Sequence, residues 1–180
     1  DRAAGELSER LKRLEAEGFQ FEAADASLEL LMREASGWTQ PYFQLEGYRV
    51  TTYHRNAMRG GAPIEDGESI IDTEASVKVW AGEERFVAIG EGNGPVNALD
   101  AALRSVLTRR YPQLGRIHLT DYRVRVLEGA AATGAVVRVL IDSTDGDLAW
   151  STVGVSENVI EASWQALVDS LVYGLLHAED

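Results

Sequence analysis

Leu45-Glu46-Gly47-Tyr48-Arg49-Val50 and Leu119-Thr120-Asp121-Tyr122-Arg123-Val124 read as two versions of one segment, sharing Leu, Tyr, Arg and Val at equal offsets 74 positions apart. Both have strand-like character, and the likeness continues outward from them. Ala75-Ser76-Val77-Lys78-Val79 is matched with Ala135-Val136-Val137-Arg138-Val139, 60 positions on. Residues 85–89 correspond to residues 149–153 and run into Gly90 or Gly154. Each copy then closes with a helix, over 95–110 and 159–177, aligned through Ala98/Ala162, Ala102/Ala166, Leu103/Leu167 and Leu107/Leu171.

The repeated unit is therefore strand, strand, strand, helix. It predicts an α+β fold of two βββα repeats, about residues 43–112 and 116–180, related by a pseudo-twofold with a cleft between them as a natural ligand site. On this alignment the length differences fall in loops. The first copy has the longer connection, over 56–69, and the second the longer hairpin, Ser143-Thr144-Asp145-Gly146, where Asp-Gly signals a tight turn.

Ahead of the repeats, Leu7, Leu11 and Leu14 recur at helical spacing over residues 6–17, with Gly18 as the cap. Leu28, Leu31 and Met32 repeat the pattern over 23–35, before Gly37. Residues 1–40 read as a helical linker or arm subdomain leading into a second domain over 41–180.

Composition narrows the function. The 17 Lys and Arg against 29 Asp and Glu leave a net charge of -12 and no basic cluster, which argues against a nucleic-acid partner. No apolar run approaches the roughly 20 residues that span a bilayer, so no membrane association is expected. The opening Asp1-Arg2-Ala3-Ala4 is neither an initiator Met nor a signal peptide, and the chain reads as a cytoplasmic fragment that has lost an amino-terminal part. Without cysteine there is no disulfide, thiolate nucleophile or Cys-ligated zinc.

One place could carry chemistry. Glu91-Gly92-Asn93-Gly94-Pro95-Val96-Asn97 joins a strand to a helix through glycines that let backbone approach a ligand, and unpaired amides at a helix start attract a carboxylate or phosphate. Ser156-Glu157-Asn158 occupies the same place in the second copy. Any strand-to-helix turn needs such residues, so the local pattern alone reads first as capping. His54, His118 and His177 lack ligand spacing and read as surface or packing residues, with no metal site. Glu65-Asp66 and Asp72-Thr73-Glu74 read as solvated acidic loop, and Trp80, Trp150 and Trp164 as core or interface packing. No nucleophile groups with an acid and a base, so a small stand-alone enzyme is not expected.

The chain resembles the carboxy-terminal regulatory domain of the 2-isopropylmalate, homocitrate and citramalate synthase family. The resemblance rests on Glu91 to Asp100, on Leu119-Thr120-Asp121-Tyr122, on Val153 to Trp164, and on Gly18 to Ser27 ahead of the repeats. The run Glu157-Asn158-Val159-Ile160-Glu161-Ala162-Ser163-Trp164-Gln165-Ala166-Leu167 is most similar to the citramalate branch.

The resemblance implies that catalysis belongs to a metal-dependent TIM barrel absent from this fragment, which would condense acetyl-CoA with a 2-oxo acid to (R)-citramalate or 2-isopropylmalate. The divalent metal and acetyl-CoA would then be the barrel's, leaving no cofactor and no catalytic residue here. Residues 41–180 would form a homodimeric feedback sensor that binds a branched-chain amino acid near the dimer interface, isoleucine favoured and leucine next. The implied pocket takes Gly92, Asn93, Gly94, Val96 and Asn97 from the first repeat. Leu119, Tyr122, Val126, Thr133, Ala135, Asn158 and Ile160 come from the second, with Thr133 and Ala135 opening its second strand. The competing expectation is a purely structural dimerisation domain that has lost its effector.

Overall fold

A computed structural model describes residues 2–65, 67, 69–127 and 134–178. The chain begins with α1 (Arg2–Glu17), a 3-10 turn (Phe21–Ala23) and α2 (Asp25–Ala35). Next come β1 (Gln44–Arg55), a minimal hairpin of β2 (Met58–Arg59) and β3 (Ala62–Pro63), β4 (Ile70–Ala81), β5 (Glu84–Gly92) and α3 (Pro95–Leu107). A second 3-10 turn (Pro112–Arg116) leads to β6 (His118–Leu127), β7 (Val136–Thr144), β8 (Ala149–Ser156) and α4 (Val159–His177). The class is α+β, with two βββα copies as expected. The chain forms two compact units, Phe43–Arg109 and the segments on either side of it.

In the unit Phe43–Arg109, β1, β4 and β5 form an antiparallel sheet in that order. Ala75, Val77, Val79 and Ala81 alternate toward α3 and are fully buried against Ala98, Leu99, Ala102, Leu103 and Leu107, as period-2 and period-3.6 patterns dictate. Gly90 is required here, because a methyl group at that position would overlap Ala98 O and Ala102 N. Strand and helix backbones therefore touch directly.

The other unit repeats the plan with β6, β7 and β8 under α4. A methyl at Gly154 would overlap Ala162 O, the counterpart of the Gly90 contact. Helix α4 buries residues on most of its circumference. The polar groups caught beneath it are satisfied internally: Ser143 Oγ meets Ser170 Oγ at 2.6 Å, Thr152 Oγ1 donates to Ala166 O at 2.7 Å, and Trp150 Nε1 donates to Ser170 O at 3.2 Å.

The pairings correct the alignment of the second strand. Ala75 pairs with Gly90 and Val139 with Gly154, while Tyr48 pairs with Val77 and Tyr122 with Ile141. Ala75 is thus the counterpart of Val139, not of Ala135, and the true offset is 64 positions through the second strand, third strand and helix. All of the length difference lies in the connection after the first strand. The two hairpins are consequently equal in chain length, but pairing stops one step earlier in the second, whose turn over residues 145–148 is longer than the first copy's over 82–83, as expected. Gly82 (φ +63°) and Gly146 (φ +99°) occupy equivalent places in them, both left-handed as a tight turn requires. Both first strands also carry a bulge, at Glu46 and Thr120.

Helix α1 packs on the face of the β6–β8 sheet away from α4, while α2 runs along the outer edge of β8 and touches α4 directly. Leu7, Leu11, Leu14, Phe19, Phe21, Leu28 and Leu31 pack on Val136, Leu140, Val153 and Val155. Three side chains also close the outer edge of β8: Asp25 Oδ1 accepts from Ser151 N, Ser27 Oγ from Val153 N and Gln165 Oε1 from Val155 N, each at 3.0 Å. The amides of Ser151, Val153 and Val155 along that edge thus each have their own acceptor. No described helix is long and apolar enough to cross a membrane.

Candidate functional site

The turn between β5 and α3 brings together Gly92, Asn93, Gly94, Val96 and Asn97. Strand β5 ends at Gly92, where a side chain would press on Asn97 Cβ (2.7 Å) and Ala98 N (2.8 Å). Gly94 is the N-cap, extended in backbone, and supplies no side-chain cap, while Pro95 opens the helix. The early amides of α3 therefore have no side-chain acceptor from the cap position. Val96 is buried and Asn97 is exposed.

Beside this turn is a concavity of about 510 Å³ lined by Tyr53, Ile71, Asp72, Thr73, Glu74, Glu91, Gly92 and Asn93. Two of its carboxylates, Glu74 and Glu91, are direct cross-strand partners. Like charges in that position repel, by roughly 0.2–1 kcal/mol. The expectation of a solvated loop fails for Asp72, Thr73 and Glu74, which lie within β4 because the strand begins at Ile70. Asp66 lies outside the described residues.

The candidates from the second copy occupy their own surface. Tyr122 and Val126 lie on β6, 41% and 61% exposed, with Val124 between them. Leu119 is half-buried near the start of the same strand. Tyr122 Oη lies 2.9 Å from Ser163 Oγ of α4, which fixes the ring along the strand. Asn158 is the N-cap of α4, and its Oδ1 accepts from Ile160 N at 2.8 Å and Glu161 N at 3.2 Å. Ile160 is half-buried. Ala135 is exposed and one residue short of β7, so it does not open the strand as expected; Thr133 lies outside the described residues.

Sequence reasoning missed a polar cluster built on the first bulge. Glu46 accepts from Arg85 Nε at 2.6 Å, from Arg85 Nη2 at 2.7 Å and from Trp80 Nε1 at 3.0 Å. Trp80 is 41% exposed and outside the core, whereas Trp150 and Trp164 are buried. Hydrogen bonding from Arg85, outweighing a small desolvation effect and joined by Trp80, holds the Glu46 carboxyl down at about 2. The signal in sequence was the doubled bulge, readable only once the register is known. Among the described residues, no three His, Asp or Glu side chains gather as metal ligands would.

A duplicated βββα module with a glycine-rich helix entry defines the class, and the comparison with known families is specific. Residues 22–175 match the LeuA allosteric (dimerisation) domain, and the chain belongs to that family. It is 51% identical over 175 residues to an (R)-citramalate synthase of Streptomyces coelicolor, a match spanning 97% of this chain and 31% of that protein. The corresponding enzyme of Synechocystis is 50% identical over 165 residues, 92% of this chain and 29% of the relative. That of Aquifex aeolicus is 47% identical over 176 residues, 97% and 31% respectively. The chain thus spans under a third of the length of these relatives.

Proposed function

We propose that this chain is the feedback sensor of a citramalate synthase, binding isoleucine, with leucine as second choice, as a cytoplasmic homodimer. The parent would form (R)-citramalate from acetyl-CoA and a 2-oxo acid, or 2-isopropylmalate as the alternative product, in a barrel that holds the divalent metal and acetyl-CoA.

The observation that carries the reading is the opposed pair Glu74 and Glu91 at the concavity beside the α3 start. An α-amino acid has complementary charges on adjacent groups. Its ammonium offsets the repulsion of the two carboxylates, its carboxylate suits the early amides of α3, and its aliphatic part suits Tyr53 and Ile71. Gly92, Asn93, Gly94, Val96 and Asn97 form the proposed first half of the effector set. Leu119, Tyr122, Val126, Thr133, Ala135, Asn158 and Ile160 complete it as the family resemblance implies. Discrimination between isoleucine and leucine or valine would be modest, since one methylene in an apolar pocket is worth about 1–3 kcal/mol.

One observation favours the structural alternative: the Asn158 carboxamide is committed to its own helix. Thermal denaturation with each amino acid separates the two readings. An effector at 100 times its dissociation constant adds about 2.7 kcal/mol of stability. A dimer unmoved by any of them would be a structural domain only.

A further inference from the structure

The two copies differ in how their third strands end the sheet. At the outer edge of β8 the amides of Ser151, Val153 and Val155 are taken by Asp25, Ser27 and Gln165. Counterparts at the 64-residue offset are Val87, Ile89 and Glu91 on β5. Strand direction, helix face and register are the same in both copies, so these three amides also point away from the sheet. Among the described residues, none of them meets an acceptor on that side. Val87 and Ile89 are 57% and 62% exposed. A nine-residue edge strand that is open and uncharged at its centre is a template for another strand. Strands β1 and β6 also have an open side, but each is bulged near its start, which interrupts the regular row that a pairing strand needs.

We infer that β5 pairs antiparallel with β5 of a second copy of this chain, across a twofold axis at Ala88, joining two three-stranded sheets into one of six. The inference rests on the homodimer reading and names its surface. Charge and apolar matching select the register. Hydrogen-bonded pairs must join outward residues, and an axis at Ala88 sets Val87 opposite Ile89 of the second copy and Arg85 opposite Glu91. An axis at Val87 would set Arg85 against Ile89, and one at Ile89 would set Val87 against Glu91, losing both matches. Arg85 is already held in place by Glu46. Glu91, Gly92 and Asn93 also line the concavity, so the proposed interface runs to the edge of the effector site.

The test uses the cysteine-free background. V87C and I89C are prepared as separate proteins, mixed in equal amounts and oxidised. Hydrogen-bonded antiparallel pairs hold Cα atoms about 5.5 Å apart, within disulfide reach of about 4.4–6.8 Å. The expected product is the mixed V87C–I89C disulfide dimer, in several-fold excess over either homodimer. In parallel, I89K should raise the dimer dissociation constant more than tenfold by light scattering, with an unchanged circular dichroism spectrum. A predominant V87C or I89C homodisulfide would overturn the register. A wild-type dimer that survives I89K and yields no mixed disulfide would overturn the surface and leave the homodimer standing. A wild type monomeric at every concentration would overturn the homodimer reading and this pairing together.

Discussion

Ser27 Oγ on α2 donates to Asp169 Oδ2 on α4 at 2.7 Å and accepts from Val153 N of β8 at 3.0 Å. One hydroxyl thus ties the amino-terminal helices to the last strand and the last helix at once. Asp25, bonded to Ser151 N, and Glu29, 3.1 Å from His177 Nε2, extend the attachment in both directions along α2.

Replacing Ser27 by Ala leaves the Val153 amide without its acceptor and Asp169 without its donor. An unsatisfied buried donor costs about 1–3 kcal/mol. S27A should lose that much in urea denaturation, and exchange at the Val153 amide should quicken more than at neighbouring core amides.

Burial pushes the Asp169 carboxyl up to about 7, with Ser27 opposing and the charge of Glu34 adding. A raised carboxyl binds its proton more tightly in the folded chain than in the unfolded one, so its contribution to stability falls as pH rises from about 4 to about 7 and is flat above. The melting temperature should therefore rise as pH is lowered from 8 toward 5. D169N should flatten that segment of the profile.

Glu46 has the opposite sign. Its carboxyl, held at about 2 mainly by Arg85, favours the folded chain above the ordinary carboxyl range, and that support is lost as pH falls from about 4.5 toward 2. E46Q should flatten the acid limb without altering the profile above pH 5. The indole N–H resonance of Trp80, which donates to this carboxylate, should follow the titration in the wild type.

Alanine at Gly90 or Gly154 would force strand and helix backbones apart, because the overlapping atoms are main-chain atoms that cannot rotate away. Each substitution should destabilise by at least about 1–3 kcal/mol in chemical denaturation. Gly47→Ala is the control, with open space around the added methyl and an expected change within about 0.5 kcal/mol.

The repeat was legible because Leu45, Tyr48 and Val50 and their counterparts keep identity as well as period. The register of the second strand was not. A shift of four residues leaves Ala75, Val77 and Val79 on the same face, so alternation alone cannot distinguish the two alignments. The apolar stripe of α1 was readable from Leu7, Leu11 and Leu14, but not the surface it meets. A hint lay in Val153-Gly154-Val155, which is buried on both faces, where the first copy reads Ile89-Gly90-Glu91 and alternates. The helix entry at Gly92–Gly94 could be read from residue types. The opposition of Glu74 and Glu91 could not, since it depends on pairing between strands.

The most direct test of the sensor is isothermal calorimetry of isoleucine, and separately leucine and valine, into the dimeric chain, with E91Q alongside. Saturable binding of isoleucine, tighter than leucine and valine and weakened by E91Q, is the predicted result. A stable dimer that produces no binding heat with any of the three, across temperatures, would contradict it.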